Sequence, residues 1–135
     1  MTLYHTTDIT VDATQDWEIT ISSPDLTDGA TGTMGADNVG VYCTDNGGNH
    51  SIGAEVSCAY TAVGSPLALP NAATVLLDNG TGNAGDATDN AFSINWECGT
   101  MNAPMNATSM LQHVASGDFP TGTYTSTVVL TLQAD

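Results

Sequence analysis

The stretch GTYTSTVVLTLQ at residues 122–133 decides the fold, because its apolar and polar side chains alternate with a period of two. One face carries the larger apolar side chains, Tyr124, Val128, Leu130 and Leu132. The alternation predicts a long strand with one buried face. A β-branched strand at the end of a chain is typical of a sheet that completes a core begun elsewhere, so we expect the preceding residues to supply the rest of a sandwich.

Similar alternating stretches occur upstream, separated by clusters of Gly, Pro, Asn and Asp. We expect strands at 2–13, 17–21, 39–43, 52–60, 73–77 and 91–98. The third and fourth of these are expected to pair as a hairpin. Residues 101–113 are expected to be a loop with one helical turn. The fold class is therefore all-β, an immunoglobulin-like or jelly-roll-like β-sandwich of about seven or eight strands.

The first strand is roughly ten residues long, about twice the usual length of a strand in a globular protein. We therefore divide the chain into an extended N-terminal strand, residues 1–13, and a single sandwich domain, residues 14–135. One face of that strand carries Leu3, His5, Thr7, Ile9 and Val11. Such a strand either belongs to a neighbouring molecule or pairs within its own sheet.

The chain has no Lys or Arg and 15 acidic residues, which gives a formal net charge of -15. Nucleic acid is excluded as a partner because phosphate binding relies on Lys and Arg, and anionic membranes repel such a surface. No stretch approaches the ~18 apolar residues of a transmembrane helix. A surface without sites for trypsin-like proteases favours an extracellular location.

Cys43 and Cys58 flank the turn expected at 46–50, so we expect them to face each other across adjacent strands and form a disulfide. Closing a loop of that size stabilises the fold by roughly 3 kcal/mol in the chain-entropy model. Cys98 is then left as an intermolecular bridge, a reactive thiol or an inert thiol beside Trp96. Pairing of Cys98 with either other cysteine stays open.

The loop at 78–90 alternates oxygen-bearing side chains with glycine, a pattern that suits a hard cation such as calcium. The candidate ligands are Asp78, Asn79, Thr81, Asn83, Asp86 and Asp89. The loop lacks the spacing of an EF-hand, and an ordinary solvated turn is the alternative. Bound metal is the strong way to neutralise clustered carboxylates in a chain without cationic side chains.

Three Asn-x-Ser/Thr triplets provide candidate glycosylation sites, at Asn49, Asn79 and Asn106. All three fall in expected loops. Catalytic motifs are absent from the sequence: there is no Gly-x-Ser-x-Gly, His-Glu-x-x-His, Ser-x-x-Lys or phosphate loop. We therefore expect a protein that is not an enzyme.

The terminal stretch at 122–132 resembles the last strand of secreted immunoglobulin-like subunits that build surface fibres, including spore-coat-U type fimbrial domains. Residues 8–13 and 18–23 are similar to the start of bacterial and archaeal fibre proteins of the same architecture. The resemblance implies polymerisation with other copies of the chain by donor-strand exchange, in which the N-terminal strand of one subunit completes the sandwich of the next. Pairing at a sheet edge gives affinity without charge.

The alternative is a secreted monomeric module that binds a ligand such as a carbohydrate through Trp17 or Trp96. Both tryptophans lie on alternating strands, where packing in the core competes with ligand stacking. We expect the structural subunit of an extracellular filament, pilus or sheath at the cell surface.

Overall fold

The computed structural model describes residues 3–99, 115–117 and 121–135, and these residues form nine β-strands. The strands are β1 Leu3–Ala13, β2 Trp17–Ser22, β3 Leu26–Thr27, β4 Thr33–Met34, β5 Val39–Asp45, β6 Leu67–Ala68, β7 Thr74–Asp78, β8 Gly85–Cys98 and β9 Val129–Ala134. A short 3-10 helix, Ala36–Asn38, precedes β5. The prediction of an all-β sandwich is confirmed.

Two antiparallel sheets make up the sandwich. The larger has the strand order β1-β8-β5-β6, and the smaller has the order β7-β2-β9. Strands β3 and β4 pair separately as a minor hairpin. The longest ladder joins β1 to β8, from Leu3 opposite Cys98 to Ala13 opposite Gly85, with an irregularity between Val11 and Ala13.

The core lies between the sheets and follows from the alternation in the sequence. On β2, Trp17, Ile19 and Ile21 are buried while the residues between them are only half-buried. The facing sheet contributes buried side chains from its two central strands, Val41, Cys43, Phe92 and Ile94. The rings of Trp17 and Phe92 lie 6.3 Å apart in a tilted arrangement and join the two layers.

The expected hairpin between 39–43 and 52–60 is wrong. Strand β5 pairs instead with β8 and with β6, which is more distant in the sequence. Residues 52–60 form turns with isolated bridges, Ile52 to Val56 and Ser57 to Asp78. The Gly-rich turn at 46–49 hydrogen-bonds to the start of β8 rather than closing a local hairpin.

The closing strand is shorter and more exposed than the sequence predicts. Strand β9 begins at Val129, and Thr125 forms only an isolated bridge with Thr27. Every residue of β9, an edge strand of its sheet, is exposed. The expectation for residues 101–113 lies outside the described residues. Within the described ranges, no helix has the length and apolar character needed to cross a membrane.

Candidate functional site

One side of the sandwich is closed by the segment at 57–60. Ser57 bridges Asp78 at the end of β7 through two backbone hydrogen bonds of 2.7 and 3.1 Å. Three residues later, the Tyr60 carbonyl accepts a 2.8 Å hydrogen bond from the N–H of Cys43 in β5. This segment therefore connects the edge of the small sheet to the large sheet.

The opposite side is formed by the other two edge strands, β1 and β9, and we call it the open edge. No bridge or backbone hydrogen bond joins β1 to β9 in the described ranges. The strands approach each other where β1 turns into β2: a cavity of about 350 Å³ is lined by residues 12–17 and 132–134. Each strand therefore has a ladder on one side only.

The open edge leaves apolar side chains in contact with solvent. In the β2–β9 register, Leu130 lies opposite Ile21 and Leu132 opposite Ile19, so both leucines are on the inward face. Their exposed fractions are nevertheless 39% and 52%. Val128 is half-buried and packs against the core. The inner face of the small sheet is thus incompletely covered along β9.

Strand β1 contains the five predicted donor residues, of which His5, Thr7, Ile9 and Val11 share one face by the alternation of a strand. Only its second half contributes to the core: Val11 is buried and Ile9 half-buried, whereas His5 and Thr7 are exposed. Leu3 begins the strand. The first half of β1 is thus held mainly by its ladder with β8.

Side-chain hydrogen bonds reinforce that ladder without using ion pairs. Thr6 Oγ1 donates to Asn95 Oδ1 at 3.0 Å, and Trp96 Nε1 donates to Thr7 Oγ1 at 3.0 Å. Ser93 Oγ donates to a carboxylate oxygen of Asp8 at 2.7 Å. These contacts fix the register of β1 by neutral donors, which suits a chain with no Lys or Arg.

The connection from β1 to β2 is short and exposed. It consists of residues 14–16, and Thr14 and Gln15 lie in solvent. Asp16 accepts the backbone N–H of Gly82 and, through its carbonyl, that of Asp135. We call residues 14–16 the hinge, and Asp16 makes the hydrogen bonds that hold it.

Carboxylates from three parts of the chain converge beside this hinge, which the sequence did not indicate. The pKa of Asp135 is raised by the negative charge of Asp78, by partial desolvation, and by the charges of Glu18 and Asp16. These carboxylates come together because β2 lies between β7 and β9. The alternation of side chains along the sequence does not reveal that strand order.

Five of the six candidate calcium ligands have side chains that hydrogen-bond to other groups of the fold. The Asp78 side chain accepts the backbone N–H of Gly80. The Asp86 side chain accepts the backbone N–H groups of Thr88 and Asp89. The Asn83 side chain donates to the Glu55 carbonyl. The pKa of Asp89 is lowered by hydrogen bonds from the Asn49 side chain and the Asp86 N–H. Thr81 is exposed at the tip of the turn.

The described ranges contain no metal-holding group of three or more His, Cys, Asp or Glu. Calcium binding at this loop stays a prediction.

Asn79 has a structural role that corrects its interpretation as a glycosylation site. Its side chain is 0% exposed, and its Oδ1 accepts the N–H of Trp17 at 2.8 Å. A glycan on this amide has no room in the fold. Asn49 is exposed and remains a candidate acceptor, whereas Asn106 lies outside the described residues.

Replacing Asn79 by alanine is expected to lower the free energy of unfolding by about 1–3 kcal/mol, because the buried Trp17 N–H then loses its acceptor. Urea denaturation followed by tryptophan fluorescence measures the change. Asn49→Ala is the matched control: that amide is exposed and donates to Asp89 Oδ1 at the surface, so we expect a change below about 0.5 kcal/mol. Equal stability of the Asn79 variant and the wild type would contradict the structural role.

All three cysteines are free thiols. Cys43 and Cys58 are neighbours, because the Tyr60 carbonyl accepts both the Cys43 N–H at 2.8 Å and the Cys58 thiol at 3.2 Å, and each thiol shifts the pKa of the other. Their proximity comes from the 57–60 segment rather than from a hairpin. Cys98 ends β8 and is half-buried, and desolvation raises the pKa of its thiol. The predicted Cys43–Cys58 disulfide stays a prediction.

The two tryptophans differ in their availability to a ligand. Trp17 is 1% exposed and packs on Phe92, so it cannot stack on a ligand at the surface. Trp96 is half-buried, and its ring nitrogen is already hydrogen-bonded to Thr7. The interpretation as a ligand-binding module therefore loses one of its two aromatic candidates.

Comparison of the chain with protein-family models, with curated proteins and with solved structures found no match. We therefore infer the function from the geometry of the open edge.

Proposed function

We propose that the chain is the structural, non-catalytic subunit of an extracellular filament, in which β1 of one subunit pairs with β8 of the next. The observation that carries the proposal is the open edge: β1 is held through a single ladder, beside a strand whose inward leucines are 39% and 52% exposed. A strand in this position can leave without breaking a second sheet.

Exchange of β1 costs little at equilibrium because the same contacts form within one chain or between two. The ladder with β8, its side-chain hydrogen bonds and the burial of Val11 and Ile9 are all recovered on the neighbour. Swapping of identical elements is a low-cost route to association. The balance between monomer and polymer is then set by concentration and by the conformation of the hinge at 14–16.

The direction of exchange determines the product. If each subunit donates β1 forward and accepts β1 from behind, the interface is heterologous and propagates as an open chain of subunits. Affinity comes from backbone pairing and apolar burial, which do not depend on charge. Because each subunit has a formal charge of -15, assembly requires counterions, and experiments belong at about 0.15 M salt, where the Debye length is about 8 Å.

Exchange of β1 can be detected directly with two cysteines at opposed positions of the ladder, one on β1 of one chain and the other on β8 of a second chain. We expect an interchain disulfide when Thr6→Cys and Asn95→Cys proteins, both carrying Cys98→Ser, are refolded together, polymerised and oxidised. Thr6 lies opposite Asn95, and Cα atoms of opposed antiparallel residues are about 4.5–5.5 Å apart, within the range of a disulfide. A non-reducing gel and peptide mapping detect the product.

The matched control pairs Thr10→Cys with Asn95→Cys in the same background. Thr10 lies opposite Ala91, four positions along β8 from Asn95, so no cross-link is expected. Filaments that form from the Thr6→Cys and Asn95→Cys mixture without the cross-link would show that β1 stays on its own β8. A Thr10 cross-link of equal yield would show nonspecific oxidation.

A further inference from the structure

The strongest feature outside the open edge is the thiol pair at Cys43 and Cys58. Cys43 lies on the inward face of β5 and is 0% exposed. The Cys58 Sγ donates to the Tyr60 carbonyl at 3.2 Å and accepts the Tyr60 N–H at 3.4 Å, while that same carbonyl accepts the N–H of Cys43. Tyr60 thus holds the two cysteines side by side.

The two thiols differ in access. Cys58 is half-buried between Ser57 and Ala59, which are both exposed, whereas Cys43 has no exposed surface. A molecule arriving from solvent can therefore reach the pair only through Cys58. Once Cys58 has reacted, Cys43 is the neighbouring thiol, because the same Tyr60 carbonyl binds both cysteines.

The pKa values of the two thiols also favour Cys58 as the residue that reacts first. The hydrogen bond from the Cys43 thiol, with smaller contributions from backbone N–H groups, lowers the pKa of Cys58 to about 7 against opposing desolvation. The same hydrogen bond and burial raise the pKa of Cys43. The lowered pKa increases the fraction of Cys58 that is thiolate at neutral pH, and the thiolate is the nucleophilic form of cysteine.

We propose that Cys43 and Cys58 form a thiol–disulfide exchange site, which accepts small disulfides through Cys58 and resolves them into an intrachain disulfide through Cys43. This inference is independent of filament formation. It assigns different roles to two residues that the sequence predicts to pair.

The reaction balances with a small-molecule disulfide as the oxidant. The Cys58 thiolate attacks one sulfur, forms a mixed disulfide and expels the first small thiolate, which takes up a proton from water. Cys43 then gives its proton to solvent and attacks Cys58 Sγ, forming the Cys43–Cys58 bond and expelling the second thiolate. Two protein thiols are oxidised, and one disulfide is reduced to two thiols.

The test uses the reduced full-length chain and oxidised glutathione. We expect the loss of two hydrogens from the mass of the protein, with Cys98 still open to alkylation after unfolding. Asp45 and Glu55 lie between the two cysteines, so an endoprotease that cuts at acidic residues should leave the Cys43 and Cys58 peptides joined. Closure should raise the thermal midpoint by roughly 10 °C.

Two variants separate the roles. Cys43→Ala should stop at the mixed disulfide and gain one glutathione moiety, and its rate should reach half-maximum at a higher pH than that of the wild type, because the Cys43 thiol no longer lowers the pKa of Cys58. Cys58→Ser should take up no glutathione while folded. If Cys43→Ala does not fold, brief alkylation of the reduced wild type serves instead, and Cys58 should be the first cysteine labelled.

Three results would overturn the proposal. The first is a disulfide that joins Cys98 to Cys43 or Cys58. The second is uptake of glutathione by folded Cys58→Ser as fast as by the wild type. The third is a folded wild type whose Cys58 reacts no faster than Cys98.

Discussion

Replacing Phe92 by alanine is expected to lower the free energy of unfolding by about 3–5 kcal/mol, the range for truncating a buried aromatic side chain. Phe92 is 0% exposed, lies opposite Ile9 in the β1–β8 ladder and packs on Trp17 of the facing sheet. Its removal leaves a cavity where the two layers meet. Urea denaturation at neutral pH measures the loss.

Val75→Ala is the matched control for Phe92→Ala. Val75 lies in β7 with 42% of its surface exposed, so its truncation should change stability by less than about 0.5 kcal/mol. A Phe92 variant within about 1 kcal/mol of the wild type would mean that the layers do not depend on this contact. Such a result would contradict the position of the core between β2 and β8.

The alternation of side chains in the sequence was sufficient to locate the strands that form the core. Strands β1, β2 and β7 lie within a residue or two of their expected positions. Buried and half-buried residues alternate along β2, whereas β7 is a short apolar run in which Leu76 and Leu77 are both buried. The start of β8 was missed: its first residues, 85–90, are polar and resemble a loop, yet they continue β8 where it meets the end of β1. Backbone pairing does not require apolar side chains, so periodicity cannot detect such an extension.

The sequence did not indicate which strands lie at the edges. Leu130 and Leu132 alternate with polar residues as in any half-buried strand, but their exposure depends on what lies beside β9. Similarly, Cys58 reaches Cys43 through turns rather than through the hairpin that local spacing suggests. Neighbour relations between distant segments are set by topology, and a single sequence carries little information about them.

The candidate site was likewise predictable only in part. The face of β1 with Ile9 and Val11 follows from period two, whereas the hinge carboxylates and the buried role of Asn79 follow from contacts across more than fifty residues. Asn79 shows the limit clearly. Its triplet reads as a glycosylation site, but its Oδ1 is needed by the buried N–H of Trp17.

Fixing β1 to its own β8 is expected to abolish filament growth. The double variant Thr6→Cys/Asn95→Cys places a disulfide across one position of the ladder, within a single chain when it is oxidised as a dilute monomer. The covalent bond prevents β1 from leaving. The subunit then cannot donate β1 to a neighbour, and its β8 stays paired and cannot accept β1 from another subunit. Negative-stain electron microscopy and sedimentation should show filaments only after reduction.

The control for this experiment is the wild type under the same oxidising and reducing conditions, since Cys43 and Cys58 respond to them as well. The single variant Thr6→Cys, oxidised in the same way, accounts for the substitution itself. Filaments of normal length from the oxidised double variant would refute exchange of β1. They would instead indicate assembly through a surface that the intact monomer already presents, of which the exposed leucines of β9 are the clearest example.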